Sequence, residues 1–125
     1  MLAINPPPSQ ISIPIVHKIS ETYKTIYRLG KNLPKNDKLG PHLKLEQQCL
    51  ECLRLSIESA LSPRQQKIPI LLKLKIEIEV GKRLGRIEHE LQIINTQDYI
   101  LLEQSLAEIS KMATGWINYC KKESA

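Results

Sequence analysis

Cys49 and Cys52, in the stretch CLEC, have the C-x-x-C spacing used by zinc and redox sites. Zinc would need two more ligands, and only Cys120, His17, His42 and His89 remain, none of them in a second paired motif. The thioredoxin-type alternative needs a strand-to-helix context that is absent around this pair. The sequence therefore predicts two small, apolar thiols packing on a helix face. There is no Gly-rich phosphate loop, no G-x-S-x-G and no H-E-x-x-H, and the carboxylates alternate with Lys and Arg as on a solvated helix face. The expectation is a protein without catalytic activity, cofactor or metal.

The cations carry more information. Lys24, Arg28, Lys31 and Lys35 follow His17 at spacings of seven, four, three and four, which sets them along one helical ridge largely clear of the apolar residues. Further along, Lys75, Lys82 and Arg86 share a line with Arg83 beside it, diluted by Glu77, Glu79, Glu88 and Glu90. Two such ridges could track phosphates, Lys as point charges and Arg as forks. The alternative for each ridge is an ordinary solvated face. Trp116, the only Trp, is expected to fill core volume rather than stack on a base, with Gly115 admitting a neighbouring backbone or subunit.

These residues must be positioned by helices. The stretch LLKLKIEIEV alternates like a strand, yet Leu72, Ile76, Val80, Leu84, Ile87 and Leu91 continue at helical steps, with Leu71, Leu74, Ile78 and Gly85 as an adjoining line. That predicts a helix from about Pro69 to Ile94, in which Gly81 and Gly85 allow close approach of a neighbour. A first helix is expected from Pro14 to Gly30, on Val16, Ile19, Tyr23, Ile26 and Tyr27. A second runs from Asn36 or Pro41 to Leu61, with Leu39, Leu43, Leu50, Leu53, Ile57 and Ala60 as its main stripe and Leu45, Cys49 and Cys52 as another. The last has Thr96 as N-cap and repeats through Tyr99, Leu102, Leu106, Ile109, Ala113, Trp116 and Cys120. The last three helices would each span about 30–37 Å, and short connections between them predict an all-α, up-down-up-down antiparallel four-helix bundle.

A length of 125 residues suits one domain, expected over residues 14–125, after a proline-rich extended arm over residues 1–13. The 42% hydrophobic residues include no Phe, so the core must be built from Leu and Ile. Three Cys without a basic, signal-like N-terminus, and no apolar run long enough to cross a bilayer, predict a cytoplasmic protein off the membrane. Eighteen Lys and Arg against 13 Asp and Glu leave a formal charge of +5, which favours a polyanionic partner.

YKTIYRLGKNLPKNDKLG, LECLRLSIESA, LLKLKIEIEVGKRLGRI and QDYILLEQSLAEISKMATGWI together resemble the accessory variability determinant family, small four-helix proteins encoded beside the reverse transcriptase of diversity-generating retroelements. The resemblance covers about Glu21 to Lys121. It is carried by the Leu-Pro-Lys turn at Leu33 to Lys35 with Leu39-Gly40 after it, the leucine-rich and basic third helix, and the Met112 to Trp116 stretch. The chain is also distantly similar to the intervening-sequence proteins found within bacterial ribosomal RNA genes, but ESALSPRQQ stands where those carry Asn-Ile-Ala-Glu-Gly. What the first resemblance implies is a non-catalytic accessory protein that forms a homopentameric ring and binds the reverse transcriptase and template RNA, DNA or an RNA/DNA hybrid. It would thereby support mutagenic copying. Five copies at +5 each would carry +25. The second resemblance implies a helical protein-interaction module without nucleic-acid binding.

Overall fold

The computed structural model describes residues 13–124, all of whose regular structure is helical. Four long helices, α1 (Ile13–Leu29), α3 (Pro41–Leu61), α4 (Arg64–Glu90) and α5 (Thr96–Ser124), are accompanied by a single turn, α2 (Lys35–Leu39). They pack as a helical bundle in which α1 touches α3, α3 touches α4, α4 touches α5 and α5 returns to α1. Among the described residues the backbones of the diagonal pairs, α1 with α4 and α3 with α5, do not approach within 8 Å Cα to Cα. No helix is long and apolar enough to cross a membrane. The arm expected over residues 1–13 lies outside the described residues except for Ile13, which opens α1.

The choice between Asn36 and Pro41 as the start of the second helix is resolved by a break at Gly40. α2 closes there, with the Gly40 N–H donating to Asn36 O, and Pro41 takes the first position of α3. A proline costs nothing at that position because its missing N–H would have had no helical partner. Pro69, by contrast, lies inside α4, which begins at Arg64 rather than at Pro69 and ends at Glu90 rather than Ile94. The Gln65 carbonyl loses its donor, and both residues are exposed, so water can serve it.

Helix α4 ends in a Schellman turn. The Ile93 N–H reaches Glu88 O at 2.8 Å and the Gln92 N–H reaches His89 O at 3.0 Å, with Gln92 at a φ of 63°. Helix α5 is capped by Asn95, whose side-chain oxygen accepts the Asp98 N–H at 2.7 Å. The expected cap, Thr96, instead meets His89 Nε2 through its hydroxyl at 3.0 Å.

The core is as aliphatic as the composition requires: Ile19, Ile26, Leu45, Leu71, Leu74, Ile78, Leu102 and Ile109 are essentially inaccessible. In α5 the expected stripe is inside, with Ile117 added and Tyr99 and Trp116 half-buried at its edges. In α3 and α4 the second expected stripe is the inner one, while most of the first lies outside, apart from Ala60, which is buried, and Leu53 and Leu84, which are half-buried. α3 buries Leu45, Cys49, Cys52, Leu55 and Ala60, and leaves Leu39 of the preceding turn, Leu50 and Ile57 exposed. α4 buries Leu71, Leu74, Ile78, Gly81 and Gly85, and leaves Leu72, Ile76, Val80, Ile87 and Leu91 outside.

The reason for this order is size. Helix axes 8–10 Å apart need small residues at the contact, and these lie on the inner sides. A Cβ on Gly85 would come within 2.9 Å of Leu102 Cδ2, so α4 and α5 meet as closely as the expectation for that glycine required. Gly115 has nothing within 4 Å of where its Cβ would be, so it admits no neighbour within the chain.

Candidate nucleic-acid interface

The cations of α4 are mostly occupied. Lys75 donates to Thr114 Oγ1 across the α4–α5 seam, Lys82 pairs with Glu79 at 3.1 Å, and Arg86 pairs with Glu90 at 3.2 Å. Of that set, Arg83 alone is exposed and without an ion pair among the described residues. On α1, Lys24 pairs with Glu21 at 2.9 Å, and this hydrogen bond and the Lys24 charge hold the Glu21 carboxyl below the usual carboxylate range. Arg28, Lys31 and Lys35 are exposed and reach no carboxylate among the described residues. Since α1 and α4 occupy opposite corners, the two ridges read from the sequence do not form one surface along their lengths.

What gathers the free cations is the connection from the end of α1 through α2 into α3. Residues 28–44 hold Arg28, Lys31, Lys35, Lys38 and Lys44 against one acid, Asp37. All five cations are exposed and none is ion-paired among the described residues. Lys38 and Lys44 escape a reading that follows ridges on single helices. The signal that finds them is the local charge of the stretch, which crosses two helix breaks.

A buried polar contact fixes that connection to the bundle. His42, at the start of α3, is wholly inaccessible. Its Nε2 lies 2.6 Å from Ile26 O at the end of α1, and its Nδ1 lies 2.9 Å from Glu88 Oε1 at the end of α4. Both neighbours offer acceptor oxygens, and the ring donates to both at once only in its protonated form, with an N–H on each nitrogen. Burial is the largest single influence on this ring and pushes its pKa down. The hydrogen bonds to Glu88 and Ile26 O, with the charges of Glu88 and Glu46, outweigh it and leave the pKa raised. The ring lies over Gly30, where a Cβ would fall 2.4 Å from His42 Cδ2, so only glycine fits beneath it. Glu88 Oε2 is buried without a hydrogen-bond partner. Nothing in a single sequence signals this contact, because His42 and Glu88 are 46 residues apart.

The CLEC cysteines are packing residues. Cys49 and Cys52 are buried as free thiols, each pushed up to about 12 by burial, and Cys49 Sγ donates to Ile19 O at 3.7 Å. Such thiols stay protonated near neutral pH and are poor nucleophiles and poor metal ligands. No group of three or more His, Cys, Asp or Glu among the described residues could hold a metal ion. Trp116 is half-buried against the core, with Lys67 Nζ 5.8 Å from its ring centre.

The chain matches no protein-family model, no curated protein and no solved structure.

Proposed function

We propose that this protein is a non-catalytic accessory factor that binds a polyanion through the connector between α1 and α3. The observation that carries this reading is the concentration of cations without ion pairs among the described residues there, Arg28, Lys31, Lys35, Lys38 and Lys44, while Lys75, Lys82 and Arg86 of α4 are held by α5 or by their own helix's carboxylates. Phosphate binding by cations is driven by counterion release, so a cluster without internal partners keeps its full electrostatic reach. Lys24, on the same helix as Arg28, can join it by exchanging its partner; Lys82, Arg83 and Arg86 stand on α4, at the opposite corner of the bundle from α1, and Lys75 is tied to Thr114.

The resemblance to accessory variability determinants specifies the partner as template RNA, DNA or their hybrid, together with the reverse transcriptase, acting in the cytoplasm as a homopentameric ring of up-down-up-down bundles. The inter-helix contacts agree with that topology: Cys49 meets Ile19 while His42 meets Ile26, and Gln48 meets Glu77 while Lys67 meets Ser59, so numbers rise on one helix as they fall on its neighbour.

The test is fluorescence anisotropy of a labelled structured RNA and a matched DNA duplex across a salt series. Each lost phosphate contact reduces the log–log salt slope by about 0.7–0.9. Replacing Lys31, Lys35, Lys38 and Lys44 by Gln should therefore flatten the slope by about 3 and weaken binding at low salt by at least tenfold. Binding unchanged in the fourfold variant would refute the assignment. A helical protein-interaction module of the intervening-sequence type is the second reading, and the exposed apolar faces of α3 and α4 favour it.

A further inference from the structure

The chain has few large aromatic side chains, four Tyr and one Trp. Tyr23, Tyr99 and Trp116 are half-buried against the core, and the Tyr99 ring stacks on His89 at 4.7 Å. Tyr27 and Tyr119 are left outside, 52% and 55% exposed. The apolar spacing of α1 includes Tyr27, but the side chains that α1 buries are Ile15, Ile19, Thr22 and Ile26, at steps of four, three and four. One residue beyond Ile26, Tyr27 is turned about 100° away from that stripe.

That rotation sets the ring among cations. Lys24 precedes it by three residues, Arg28 adjoins it and Lys31 follows it by four, where the connector begins, and all three are exposed. The nearest acids along the chain are Asp37 and Glu21, and Glu21 is already paired with Lys24. Among the described residues no ring or cation lies over Tyr27: the one stacked pair is His89 with Tyr99, and the one cation over a ring is Lys67 over Trp116. Helix propensity gives no reason for a Tyr at this position, since Lys, Glu or Gln suit an exposed helical site better.

An open aromatic face beside phosphate-binding cations is the combination that holds unpaired bases. Stacking is available to a base whose face is bare and closed to a base inside a duplex, whose faces are covered by its neighbours. We infer that the ligand of the cationic connector is a single-stranded nucleic acid, with an unpaired base stacked on the Tyr27 ring and the flanking phosphates held by Lys24, Arg28 and Lys31. Lys24 stands about 4.5 Å before Tyr27 along the helix axis and Lys31 about one turn after it, so cations lie on both sides of the stacked base, where the sugar–phosphate chain enters and leaves. The inference rests on the proposed polyanion binding and narrows it from nucleic acids in general to unpaired strands. An acidic protein surface would satisfy the cations without using the ring.

The probes are a labelled oligoadenylate of about 12 nucleotides, an abasic ribose–phosphate chain of the same length, and the oligoadenylate annealed to oligouridylate, each titrated with the full chain by fluorescence anisotropy. The parent should bind oligoadenylate at least about fivefold more tightly than the abasic chain, the lower end of what one stacked base contributes. Tyr27→Ala should bring the two to the same affinity with an unchanged salt slope, because no phosphate contact is lost. Tyr27→Phe should keep the preference, since the ring does the stacking. On the duplex, Tyr27→Ala should bind as the parent does. Tyr119→Ala is the control: Thr96 meets His89 at the connector end of the bundle and Tyr119 lies about 35 Å further along α5, so this variant should keep the full preference. Both tyrosines are exposed, so far-UV circular dichroism should be the same for all variants. A parent that binds oligoadenylate and the abasic chain equally, a preference that survives in Tyr27→Ala, or an equal loss in Tyr119→Ala would each overturn the inference and leave polyanion binding standing. Binding to none of the probes would overturn both and point to an acidic protein instead. The fourfold connector variant separates the two claims, since it should flatten the salt slope while keeping the ratio between oligoadenylate and abasic chain.

Discussion

His42 is held by two acceptors and a glycine floor, with no access to water. Removing it leaves Glu88 and the Ile26 carbonyl buried without a donor, and His42→Leu should cost about 3–5 kcal/mol in urea unfolding. The pH dependence has a definite sign. With the folded pKa raised above the unfolded 6.5, folded and unfolded chains carry the same proton at acid pH and the contribution is fully present there. As the pH rises above 6.5 the unfolded chain releases its proton first, so stability falls until the folded pKa is passed. Urea midpoints from pH 6 to 9 should decline for the parent and lose that decline in His42→Leu. An identical slope in both would remove His42 as its source.

The helices show what periodicity can and cannot decide. Their number, their approximate ends and the inner stripe of α5 follow from spacing alone, because α5 has only one apolar side to offer over most of its length. In α3 and α4 spacing finds two stripes and cannot rank them. The bulkier stripe has more hydrophobic area, but the stripe with Cys49 and Cys52, or with Gly85, lets axes approach closely enough to pack. Of the candidate surface, Arg28, Lys31 and Lys35 were legible as a helical ridge, whereas Lys38 and Lys44 lie past the helix breaks that such a ridge does not cross. Which α4 cations were spoken for depends on partners such as Thr114, 39 residues away, which no local pattern contains.

The Schellman turn after α4 supplies a test at this scale. Gln92 occupies a left-handed conformation that carries a steric penalty for a residue with a Cβ. Gln92→Gly should therefore raise stability by about 0.5–1 kcal/mol, seen as a Tm higher by a few degrees. A lower Tm would show that the Gln92 side chain contributes more than its backbone costs.

At the scale of the whole molecule, burial is unequally shared. The central helices α3, α4 and α5 pack along extended seams, while α1, at 17 residues, is the shortest of the four long helices and touches only α3 and α5. Local opening should follow that inequality. In native-state hydrogen exchange, the amides of α1 should exchange through openings of lower free energy than those in the middle of α4. Equal protection in both would mean that the bundle opens only as a unit.

The contact between His42 and Glu88 also orders events during synthesis. A ribosome adding about 5–20 residues per second makes Glu88 several seconds after His42. Until then Ile19 and Ile26 have an incomplete core to enter, and the imidazole lacks the Glu88 carboxyl that it bonds in the folded chain. The N-terminal third, first to be made, is thus among the last parts to be secured, and the cationic connector within it is displayed in its final form only once α4 is complete.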